Sequence, residues 1–173
     1  MNTDCYTQAQ QRLTESFQAL QKVYDDYKAD SRPVPQPRGI GEALRGWLAG
    51  SQLTQADTRG MAFYDQVAEA VSCLEKTLAA CAKELPDLCF SCAKEAAELM
   101  LVWNPDQQPR DIKWYLLAAE SHLIPLLPYL KKEELADLRT RYLAATPRRL
   151  MFPNQRKLLD QMEQLLADAA TIK

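Results

Sequence analysis

The sequence predicts an all-α fold: a single-domain, irregular bundle of six or seven helices over residues 1–173, built around a long Pro-kinked central helix. Two observations predict it. Apolar residues recur in steps of three and four, the spacing of one helix face, and nowhere alternate with the period of two that a strand requires. Glutamine, alanine and leucine are abundant while valine and isoleucine are scarce, which favours helix over sheet. With 173 residues, 47% of them apolar, the chain can bury a sizeable core.

The elements follow in order. A helix is expected from Thr3 to Ala29, with Tyr6, Leu13, Phe17, Leu20, Tyr24 and Tyr27 on one face. The alternating prolines of "DSRPVPQPRGIG" favour extended backbone, so residues 30–39 read as a Pro-rich loop. A short helix carrying Ile40, Leu44, Trp47 and Leu48 follows, and "SQLTQADTRG" reads as a polar connection. The stripe Val67, Val71, Leu74, Leu78, Cys81, Leu85, Leu88, Cys92, Ala96, Leu99 and Trp103 then keeps its phase across Pro86. Unbroken phase predicts one helix kinked at the proline rather than a reversal of the chain.

Residues 104–110 form a Pro-rich turn, across which Trp103 and Trp114 are expected to pack. Ile112, Leu116, Ala119, Leu123, Leu126 and Leu130 mark the next helix, kinked or split at its end by Pro125 and Pro128. "KKEELADLRTRYLAA" is a short helix, residues 146–154 are a basic loop, and Asn154 is placed to cap a final helix through Leu158, Met162, Leu165 and Ala169.

The N-terminus has no apolar signal region, and no run approaches the roughly 18 apolar residues of a membrane span. A cytoplasmic setting with the five cysteines reduced is therefore expected, with no membrane partner. Cys89 and Cys92 form one C-x-x-C pair, but a structural zinc site needs a second pair, and His122 is the single histidine. Cys81, Cys89 and Cys92 fall on the apolar stripe, where free cysteine behaves as a small hydrophobe. A thiol- or metal-binding role for these three is the alternative, should the chain reverse at Pro86. No phosphate-binding glycine loop, metalloprotease or nucleophile-elbow motif is present, so no cofactor and no catalytic residue is assigned.

Charge is unevenly spread although the net value is only −2. From Leu138 to Leu159 there are six basic residues and no acidic one. Arg139 and Arg141 close one helix, where cations complement the dipole, whereas Arg156 and Lys157 open the next, where they oppose it. Cations with no local reason for their position, beside Met151 and Phe152 in a loop, suggest an external anionic partner. The expectation is a non-enzymatic protein-binding module, of adaptor, chaperone, immunity or regulatory type, in a bacterial-style cytosol. It would meet an acidic partner surface through Arg148, Arg149, Met151, Phe152, Arg156 and Lys157. A nucleic acid or phosphate ligand on the 139–157 segment is a further alternative, disfavoured by the net charge. The competing expectation is that these cations pair with the acidic 61–103 region of the same molecule.

Overall fold

A computed structural model describes residues 3–30 and 55–171. Among them lie six α-helices: α1 (Thr3–Ala29), α2 (Gln55–Cys81), α3 (Pro86–Met100), α4 (Arg110–Ala119), α5 (Lys132–Ala145) and α6 (Pro153–Thr171). Three 3₁₀ segments join them, at Pro105–Gln107, Glu120–Tyr129 and Arg148–Leu150, and the described residues contain no strand. The fold is an all-α bundle, as its spacing predicts. The Pro-rich 31–39 stretch and the short helix around Ile40–Leu48 lie outside the described residues, and residues 55–60, read as polar connection, open α2.

Helices α1 and α2 pack antiparallel. Arg59, near the start of α2, pairs with Asp30 beyond the end of α1 at 2.9 Å. Phe63 meets Tyr24 edge-on and stacks on Tyr27 at 4.0 Å, and farther along the Ser16 and Thr77 hydroxyls lie 3.1 Å apart. As numbers fall along α1 they rise along α2. Leu13, Leu20, Tyr24 and Tyr27 meet Phe63, Val67, Leu74 and Leu78 in this seam, all buried. Each such side chain contributes about 1.5–3 kcal/mol.

The chain does not continue through Pro86 as one kinked helix. Helix α2 ends at Cys81, the turn closes with Glu84 and Leu85 N–H groups donating to Cys81 O, and Pro86 opens α3. At this first position proline's missing N–H is no loss and its fixed φ suits the helix. Phase is reset at the break. The buried face of α3 is Cys89, Cys92, Ala93, Ala96, Ala97 and Met100, while Leu88 and Leu99 of the expected stripe are only half-buried.

Segment Glu120–Tyr129 is the spine of the bundle, packed against α2, α3, α4 and α6. Its prolines explain its form. With three residues per turn, Pro125 and Pro128 share one edge, and both are exposed. Glu120, Leu123 and Leu126 share another edge, and all three are fully buried. Helices α5 and α6 form an antiparallel hairpin on the far side, stitched by Arg139 to Glu163 at 2.7 Å. Helix α3 runs alongside α5 in the same direction, with Lys94 on Glu134 at 2.9 Å and Arg141 on Glu98.

Candidate functional site

Helix α4 is amphipathic, and its core face holds Ile112, Leu116 and Ala119. Trp114 lies about 200° from Ile112 around the helix, so it points away from that core. It is 58% exposed, and its ring meets Phe152 edge-on with centroids 5.0 Å apart. The expected Trp103–Trp114 contact is not made. Trp103 instead lies under the Arg141 guanidinium, 4.4 Å from the ring centroid.

A groove of about 630 Å³ opens where α4 faces the α5–α6 connection. Arg110, Lys113, Trp114 and Leu117 form one wall, one helical face at spacings of three and four. Leu150 and Phe152 form the other, with the end of α5 and Gln155 between. Leu150 is 62% exposed and Phe152 41%. Three of the five large hydrophobic side chains that are exposed among the described residues thus gather at one place. The groove thus gathers exposed apolar surface in a concave, polar-rimmed site.

The rim is basic. Lys113 reaches Asp106 at 3.3 Å, whereas Arg110 and Arg149 are exposed and make no ion pair among the described residues. Histidine, cysteine and serine are missing from the lining. What it offers is apolar contact beneath positive charge.

The expected site residues divide. Phe152 lines the groove, whereas Arg149 is not part of the lining and is exposed next to Leu150 in the chain. Arg148 is engaged internally, by Asp160 at 3.4 Å and by Glu163. Met151 is buried in the core. Arg156 and Lys157 are exposed on α6, beside a separate open depression with Asp160 and Gln164. Hydrogen bonds from Arg139 and Arg148 hold the Glu163 carboxyl below its ordinary value. Internal pairing therefore accounts for Arg139, Arg141 and Arg148, partly through α6 rather than through the 61–103 region alone.

Beneath the groove lies a carboxylate with no exposure at all, Glu120. Val102 N–H donates to its Oε1 at 2.8 Å, and Tyr142 O–H and Gln155 Nε2 donate to its Oε2 at 2.7 and 2.9 Å. Burial pushes the carboxyl up to about 7, against the three hydrogen bonds that lower it. Gln155 faces both ways, because its Oε1 accepts the Phe152 N–H at 3.1 Å. Phe152 O in turn accepts the first bond of α6, from Arg156 N–H. This is the reciprocal half of a capping box, and it displaces the expected Asn154 cap. Asn154 lies within the first turn and reaches Ala118 O at 3.5 Å.

The cysteines pack as the apolar stripe predicts. Cys81, Cys89 and Cys92 are buried and in no disulfide, Cys73 is exposed, and Cys89 Sγ–H donates to Leu78 O at 3.7 Å. Burial raises the Cys89 thiol and pushes Cys92 up to about 12, so both stay protonated at neutral pH. Among the described residues no group of three or more His, Cys, Asp or Glu side chains is placed to hold a metal ion. No helix among them is long and apolar enough to cross a membrane.

Sequence reasoning missed Trp114, Leu150, Arg110, Lys113 and Glu120. Two signals were available. Trp114 is a large aromatic on the polar side of an amphipathic helix, and Glu120 stands four residues after Leu116 and three before Leu123, within the core stripe. No protein family matches the chain, and no curated protein or solved structure is significantly similar to it.

Proposed function

We propose that this chain is a non-enzymatic protein-binding module whose groove takes a short segment of an acidic partner. One observation carries the reading: Trp114, Leu150 and Phe152 converge on a concave site also lined by Arg110 and Lys113, with the exposed Arg149 next to Leu150 in the chain. Aromatic anchors in a shaped site supply most of the affinity of small interfaces, and charges at the rim select the partner and speed its approach. The occupant that fits is a peptide segment with one aromatic or leucine anchor flanked by aspartate or glutamate. The anchor would sit between Trp114 and Leu150, and the flanking carboxylates would reach Arg110 and Arg149.

A random peptide display library panned on the full chain tests this directly. Recovered sequences should share the anchor and its acidic flanks, and bind at least about tenfold more weakly to Trp114→Ala/Phe152→Ala. Both side chains are substantially exposed, so the double variant should stay folded. Arg149→Glu should weaken the same peptides severalfold, and more so at low salt. No enrichment, or binding indifferent to the double variant, would overturn the reading. Capture of a fluorescent oligonucleotide with no peptide enrichment would transfer it to a phosphate ligand.

A further inference from the structure

Gln155 joins two things that otherwise have no reason to be joined: a carboxylate with no access to solvent and the backbone of a groove wall. Only one orientation of its amide serves both, since Nε2 must donate to Glu120 and Oε1 must accept from Phe152 N–H. The groups around Glu120 come from every element packed on it. Tyr24 of α1 lies close enough for its hydroxyl to feel the carboxylate charge. Tyr142 of α5, Gln155 of α6 and the Val102 backbone each donate a hydrogen bond. No lysine, arginine or histidine pairs with Glu120 among the described residues, and His122, two residues on, packs against Tyr64 instead. The cluster is thus three donors aimed at one anion with no compensating cation.

We propose that Glu120 is a proton-operated latch for the groove: a proton taken up on Oε2 weakens its hold on the Gln155 amide, and through that amide loosens the Phe152 backbone and the wall that Phe152 and Trp114 make together. The chemistry is a matter of acceptor strength. Ionised, Oε2 accepts from both Tyr142 and Gln155. Protonated, the same oxygen carries a hydrogen of its own, which Tyr142 can rotate its hydroxyl to accept. The Gln155 Nε2–H then faces a neutral hydroxyl oxygen in place of an anion, a bond about half as strong. The amide is held less tightly, and with it the Oε1 that accepts the Phe152 N–H. The two-state element is the first turn of α6, and the bias is a single proton. As a means of regulating ligand affinity, the latch rests on the docking reading above, with the tight groove belonging to the ionised state.

The test uses the full chain labelled with carboxyl-¹³C glutamate and ¹⁵N. Between pH 5 and 9 the Glu120 carboxyl and the Phe152 amide should shift together, with a common midpoint near neutrality. Glu120→Gln should leave the Phe152 amide flat, whereas His122→Gln should leave its titration intact. Should Glu120→Gln fail to fold, Gln155→Leu gives the same answer from the other side: the carboxyl still titrates and the amide no longer follows. A Phe152 amide that ignores the Glu120 titration overturns the latch, as does a Glu120 held in one charge state throughout. These readings need no ligand, so they stand or fall separately from the docking groove. With a display-selected peptide as probe, affinity should be at least threefold weaker at pH 6 than at pH 8 in the unaltered chain and independent of pH in Glu120→Gln. Equal affinity at both pH values would overturn the regulatory role.

Discussion

A carboxylate in a dry site is a balance of two opposed effects, and at Glu120 both are visible. Burial favours the neutral acid, while the donors from Val102, Tyr142 and Gln155 favour the anion. Each donor can be removed singly. Tyr142→Phe deletes one without changing the volume of the core, so the Glu120 midpoint is expected to rise. At pH 8, where the anion must still be held, the loss should destabilise the protein by about 1.5–3 kcal/mol. Carboxyl ¹³C titration and urea denaturation read the two effects separately, and a midpoint that falls would refute the assignment of Tyr142 as donor. The thiols make a simpler case. Native protein should lose Cys73 quickly to a thiol reagent, whereas Cys81, Cys89 and Cys92 are buried, the last two with raised thiol values, and should react only on unfolding. Mass spectrometry of partially modified protein would show the order.

At the scale of helices, α2 and α4 approach where Gly60 leaves room for a ring. A Cβ built there would overlap the Tyr115 ring, which is fixed at its far end by a bond from its hydroxyl to Asp57 at 3.3 Å. Gly60→Ala should therefore cost about 1–3 kcal/mol although alanine is the better helix former. Combining it with Tyr115→Ala should recover much of that loss, and additive effects in this double-mutant cycle would place the strain elsewhere. The same scale explains what could be read beforehand. The bounds of α1 and the core face of α4 were legible because a single helix repeats one rule along its length. The break before Pro86 was not. A stripe that seems continuous in sequence can be two faces in register by coincidence, and only packing showed that Ala93, Ala97 and Met100, not Leu88 and Leu99, turn inward. In the spine the period itself changes from 3.6 to three, which places Glu120 with Leu123 and Leu126 rather than at the edge of the face. Of the groove lining, sequence supplied Phe152, with Arg149 only as the neighbour of Leu150. It could not distinguish Phe152 from buried Met151, because neighbours in a loop carry no period, and it could not tell that Arg148 already had its carboxylates.

The whole molecule sets an antiparallel pair, α1 and α2, and a helical hairpin, α5 and α6, on a 3₁₀ spine, and its response to pH combines two carboxylates of opposite sign. Glu163, clamped by Arg139 and Arg148, has a folded value below its unfolded one. Its stabilisation is full above the unfolded carboxyl value and is lost as pH falls through the folded value. Because the clamp lies at the surface, that loss should not exceed about 1 kcal/mol. Glu120 behaves in the reverse way. Its folded value near 7 stands above an ordinary 4.5, so the folded protein binds the proton more tightly than the unfolded chain. Stability from this group is full below about 4.5 and declines as pH rises to 7, by about 3 kcal/mol in all. Together they give a curve that rises out of acid, peaks near pH 5 and falls toward neutrality, unlike the plateau expected when paired carboxylates alone dominate. Urea denaturation from pH 3 to 9 should trace it. Glu163→Gln should flatten the rise out of acid, leaving stability at pH 3 unchanged and lowering it above about pH 4.5, and Glu120→Gln should flatten the descent between pH 5 and 7. If that descent survives in Glu120→Gln, the titrating group lies elsewhere and the carboxylate at the centre of the bundle is not what makes the fold sensitive to protons.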